Sequence, residues 1–127
     1  MRHTKIEMNN FLFSKITDNT IPVKCTKHAI QRAVQRCKLL MHQYEKDNPS
    51  LFLMSIFKET KPDLSIIFSP FSYNKMCSSY GPNSFVRHND KFMLMCRYDD
   101  KEHAIVIKSI IYKRGSKFYF LFYYHTL

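Results

Sequence analysis

The chain has 127 residues and a formal net charge of +10, from 20 Lys and Arg against 10 Asp and Glu, with six His besides. Hydrophobic residues make up 45% of it, eleven Phe and eight Tyr among them, which argues against a disordered chain and predicts one packed domain over residues 1–127. The basic excess points to a polyanionic partner, nucleic acid before membrane; no apolar run approaches the roughly 20 residues of a membrane span, and the Met1-Arg2-His3 start lacks a signal-peptide core.

Residues 1–24 are polar and mixed, with a short helix expected over Met8 to Ile16. Pro22 and Val23 lead into the main helix, predicted from Thr26, its N-cap, to about Asp47. Within it Ala29, Ala33, Cys37, Leu40 and Tyr44 recur at three and four, an amphipathic stripe that needs a sheet to bury it. His28, Arg32 and Arg36 stand four apart and form a ridge along one edge of that stripe. An edge ridge faces a cleft beside the sheet.

Asn48-Pro49-Ser50 breaks the helix and starts another, because Pro is favoured in a first helical turn. Leu51, Phe52, Met54, Ile56 and Phe57 fit a short buried helix, with a strand as the alternative. Leu64 to Phe68 reads as a strand, and Ser69 to Asn83, with Pro70, Gly81 and Pro82, as a long loop. A meander follows. Phe85–His88, Phe92–Tyr98, His103–Tyr112 and Lys117–Thr126 are β-rich runs between the turn signals Asn89-Asp90, Asp99 to Glu102 and Lys113 to Ser116. Pairing Tyr98 with His103 and Tyr112 with Lys117 gathers Phe92, Leu94, Cys96, Ile105, Ile107, Phe118, Phe120 and Phe122 on the core face. The same register puts Arg97, Ala104 and His125 in one row on the other face, a placement that a one-residue slip would reverse. The predicted class is α+β: N-terminal helices packed on a four- to five-stranded antiparallel sheet made mainly by residues 85–126.

The four cysteines form no C-x-x-C pair, and no Cys/His cluster has zinc-ligand spacing, so neither a metal site nor a cofactor is expected. Cys37 and Cys96 occupy apolar positions and read as buried free thiols, which suits a reducing cytoplasm.

The string from Thr26 to Arg36 resembles the opening helix of the H-x-x-x-R-x-x-x-R toxin-like domains and of the RegB-like messenger-cleaving phage endoribonucleases, within the barnase–EndoU–colicin–RelE group. The close likeness spans about twelve residues, and the order of helices followed by a meander agrees with that group's plan. The resemblance implies a metal-independent endoribonuclease acting on RNA, with an antitoxin-type inhibitor or the ribosome as further partners. It maps the family's helix histidine onto His28 and its arginines onto Arg32 and Arg36. The phage enzymes carry a second catalytic histidine on the next helix, where this chain has Asn48. Two alternatives follow: the second catalytic group lies on the sheet, or the chain is a non-catalytic RNA-binding or host-protein-inhibiting relative.

Metal-free RNA cleavage needs a base for the 2′-OH, an acid for the leaving 5′-oxygen, and cations for the phosphorane. His28 is the first choice for acid or base, His125 for the second proton transfer, and Arg97 for a phosphate fork on the sheet. Arg32, Arg36 and Lys27 are expected to bind the RNA backbone and Tyr123 to stack a base. The competing reading makes the two arginines a solvated ridge paired with Glu45 or Asp47.

Overall fold

The computed structural model describes residues 5–113. In chain order the elements are α1 (Lys5–Ile16), β1 (Val23–Cys25), α2 (Lys27–Cys37), a 3-10 turn (Lys38–Leu40), α3 (Gln43–Asp47), α4 (Pro49–Glu59), β2 (Lys61–Pro62), α5 (Leu64–Ile67), α6 (Pro70–Tyr80), β3 (Ser84–His88), β4 (Phe92–Asp99) and β5 (Ala104–Tyr112). The five strands form one sheet in the order β1-β5-β4-β3-β2. The class is α+β, as the sequence predicts. The sheet is mixed rather than antiparallel, because β1 pairs parallel to β5, Val23 opposite Ile105. The predicted strand Lys117–Thr126, with His125 and Tyr123, lies outside the described residues.

Alternation along β4 accounts for the layers. Phe92, Leu94, Cys96 and Tyr98 are buried, and so are Met93 and Met95 between them, so both faces of the strand are covered. A continuous apolar run of this kind signals two-sided burial, and the mixed second face expected from the sequence is replaced by a second core surface. Phe52 of α4 meets Phe92 edge-on, and Phe11 of α1 meets Tyr98 the same way. Buried Ile66 and Ile67 of α5 and Met76 of α6 join the same core, and both helices pack on β3.

Helix boundaries follow local chemistry. Thr26 caps α2 by accepting from the Ala29 N–H at 3.0 Å, and Ala29, Ala33 and Cys37 bury the stripe against β5. The single long helix expected to Asp47 instead ends at Cys37. Met41, extended and buried, takes the next core position, and the chain restarts as α3, where the Glu45 carboxylate accepts from the His42 N–H. The His42-x-x-Glu45 spacing is that of a capping box, a start signal inside what read as one helix. Leu40 and Tyr44 therefore leave the core and are exposed.

Two further expectations are corrected. Leu64–Phe68 is a helical turn, capped by Asp63 through the N–H groups of Ser65 and Ile66. Ser69–Asn83 holds α6, in which Pro70 fills the first turn and Gly81, at φ +99°, follows the last. These residues punctuate the ends of a helix.

The β4–β5 register also differs from expectation. Asp99 Oδ1 accepts from the N–H groups of Lys101 and Glu102, and this turn closes on Asp99 opposite Ala104, so Tyr98 pairs with Ile105 rather than His103. Met95 then faces Ser109 while Cys96 faces Ile107, leaving Lys108 as the extra residue of a β-bulge on β5. Arg97 is consequently opposite Val106, and the predicted row with Ala104 does not form.

Candidate phosphate-binding ridge

The bulge on β5 lies against the start of α2. The Thr26 N–H donates to the Ile107 carbonyl at 3.1 Å, and Thr26 Oγ1 donates to the Lys108 carbonyl at 3.4 Å. One residue thus caps the helix and ties its first turn to the irregular point of the strand. That fixes the origin of the ridge that begins at His28.

Along the ridge His28 and Arg32 interlock, and Arg36 is tied to the sheet. Arg32 Nε donates to His28 Nε2 at 3.3 Å, and Arg32 Nη1 donates to Gln35 Oε1 at 3.0 Å. His28 Nε2 is the acceptor in this arrangement, its lone pair engaged by Arg32. Arg36 Nη1 donates to the Ile110 carbonyl at 2.6 Å, which anchors the C-terminal end of α2 to β5. Burial, and then the charge of Arg32, hold the Arg36 guanidinium below the usual arginine range. His28 is exposed, Arg32 and Arg36 half-buried.

The acidic pairing considered for the arginines does not occur at Arg32, whose partners are His28 and Gln35. Glu45 is buried and accepts from a backbone N–H, and Asp47 accepts from Gln43 Nε2. Lys27 is exposed beside His28 at the first turn of α2. Arg97 lies elsewhere: its Nε donates to the Pro82 carbonyl at 2.8 Å, and it packs against Gly81, where a Cβ would come 3.4 Å from its Nε. Among the described residues no hydrogen bond joins it to His28 or Arg32.

Tyr80, at the end of α6, is a residue the sequence reading passed over. It lies within electrostatic reach of Arg36, and burial raises its phenol pKa while the Arg36 charge opposes that rise. Pro70 and Gly81, spaced as the first turn and C-cap of a helix, are the signal in the sequence that marks it. Among the described residues no three His, Cys, Asp or Glu side chains converge as a metal site, and no helix is long and apolar enough to cross a membrane.

No family model, curated protein or solved structure matches the chain.

Proposed function

We propose that the chain is a metal-independent endoribonuclease of the toxin or phage type, with the α2 ridge as its RNA site. The observation that carries this reading is the His28 imidazole hydrogen-bonded to Arg32, with Arg36 one turn further along the same face. Two guanidinium groups beside a proton acceptor supply the electrostatics and the base that 2′-OH attack requires. The resemblance of residues 26–36 to H-x-x-x-R-x-x-x-R nucleases supports the same reading.

In the proposed reaction Arg32 turns from His28 to the phosphate, the freed Nε2 of His28 takes the 2′-OH proton, the 2′-oxygen bonds to phosphorus, and the P–O5′ bond breaks as the 5′-oxygen gains a proton. The products are a 2′,3′-cyclic phosphate and a 5′-hydroxyl. His125 is the sequence's choice for the proton donor. Tyr80 is the described alternative, a half-buried phenol within electrostatic reach of Arg36. Incubating the pure protein with total RNA in EDTA and mapping the ends tests the reading: cyclic-phosphate and 5′-hydroxyl termini support it, and intact RNA overturns it.

A second reading rests on a specific observation. Among the described residues His28 hydrogen-bonds a cation, Arg32, but no second proton-transfer group. A protein that binds RNA through the ridge without cutting it fits that arrangement, and RNA bound but intact under all conditions would select it.

A further inference from the structure

Breaking the main helix at Cys37 builds a cavity that the ridge alone does not explain. It has a volume of about 320 Å³ and lies between α3, α4 and the end of β5, at the small end of ligand sites, which run from roughly 300 to 1,000 Å³. Its floor is aromatic: Phe52 and Phe92 are buried, and Phe92 meets Phe52 and Tyr112 edge-on at 5.8 and 5.5 Å between ring centroids. At its rim the Tyr44 ring is 61% exposed and lies parallel to His42, the two planes 4° apart.

Three residues with polar side chains border this aromatic space, Ser55, Glu59 and Lys91, and no hydrogen bond or ion pair engages those side chains among the described residues. Ser55 and Glu59 share a helix face with Phe52 by their spacing on α4. A neighbouring groove is lined by Gln35, Arg36 and Lys38, and it shares Leu40 and Tyr112 with the cavity. The aromatic space and the cationic ridge are therefore parts of one continuous surface.

We infer that this cavity is a nucleobase subsite that holds one unpaired base of RNA, guanine in preference to the others, while the adjoining phosphate sits at Arg36. The inference rests on the ridge being the phosphate site. An exposed tyrosine ring is a stacking platform for any base, and unpaired bases present their Watson–Crick edges to side chains. Guanine shows two adjacent donors, N1–H and N2–H₂, beside the O6 acceptor. A carboxylate accepts both donors in a fork, and an ammonium donates to the oxygen. Adenine, cytosine and uracil each lack the paired donors, so the Glu59 carboxylate meets at least one acceptor there.

The test uses the intact protein and backbone-amide NMR titrations with guanosine, inorganic phosphate and the four 3′-nucleoside monophosphates. Guanosine is expected to shift the amides of Ser55 and Lys91, and phosphate those around Arg36. Guanosine 3′-monophosphate should bind roughly tenfold tighter than the other three, within the range of one bidentate base contact. Glu59→Gln should remove that preference, and Tyr44→Ala should weaken all four nucleotides about tenfold; both side chains are exposed, so neither change disturbs the core. If phosphate shifts the ridge while guanosine shifts nothing, or if the four bases bind alike and Glu59→Gln changes none of them, the base subsite is overturned and the ridge stands. Should guanosine shift the cavity while phosphate leaves the ridge unmoved, the subsite stands and the phosphate reading falls. Silence to both ligands overturns both.

Discussion

Arg36 donates to the backbone carbonyl of Ile110 at 2.6 Å, across 74 positions of sequence, so one residue of the proposed RNA ridge also bolts α2 to β5. Arg32, one turn earlier, makes no such tie among the described residues and hydrogen-bonds side chains of its own helix. The two arginines, equivalent in the sequence motif, are therefore expected to behave differently when removed.

Arg36→Ala should destabilise the fold by about 1–3 kcal/mol, the cost of leaving a part-buried carbonyl without its charged donor. Arg32→Gln should leave stability within about 0.5 kcal/mol, as surface changes do. Urea denaturation of the two variants separates them, and equal midpoints would remove the anchoring role from Arg36.

If the ridge binds phosphates, RNA affinity should fall steeply with salt, because each phosphate contact releases counterions. Arg32→Gln should weaken binding to all sequences alike and make the salt slope shallower by about one unit. A slope identical to that of the parent protein would place Arg32 outside the interface.

His28→Ala should reduce turnover by about 10²–10⁴-fold with little change in RNA affinity, the pattern of a lost acid or base. Tyr80→Phe and His125→Ala should then differ, since only the residue that protonates the 5′-oxygen will match the His28 deficit. Single-turnover cleavage measures all three. Full activity in His28→Ala would end the catalytic assignment.

Thr26→Ala should cost about 1 kcal/mol, the usual loss on removing a helix cap, and Thr26→Ser should restore most of it. Because the Thr26 hydroxyl also donates to the Lys108 carbonyl at the bulge, its loss should lower activity as well as stability, although the backbone bond to Ile107 remains. Thermal melts paired with cleavage rates distinguish this from a purely local cap, which would move the melt alone.

Asp63 links α5 to β3 through His88, 3.2 Å away, and that bond, with help from the Ser65 hydroxyl, lowers the carboxyl pKa to about 2. A carboxyl depressed in the folded state stabilises it above the ordinary carboxylate range. That contribution disappears as the pH falls from about 4 to about 2. His88→Ala should remove about 1 kcal/mol near neutral pH, a value kept small by the partial exposure of the pair. It should also flatten stability across that acid window. Circular dichroism during acid titration reads both, and an unchanged acid profile would show the pair to be inert.

What the sequence could settle was local. The cap at Thr26, the Ala29/Ala33/Cys37 stripe, the helix start at Pro49, three strands of the meander and the buried thiols of Cys37 and Cys96 all follow from spacings of a few residues, and all are present. The His28–Arg32–Arg36 ridge was legible for the same reason: helical period alone puts the three on one face. What tertiary structure decided depended on partners far along the chain. The parallel edge between Val23 and Ile105, the bulge at Lys108, and the burial of both faces of β4 arise from segments that meet only after folding. Leu40 and Tyr44 carry the right period for the core, yet they stand outside it, because Met41 fills that space and Glu45 restarts the helix in a new direction. Periodicity states which residues could be buried together. Only the packing of distant elements selects which of them are, and here that choice left a cavity beside the ridge.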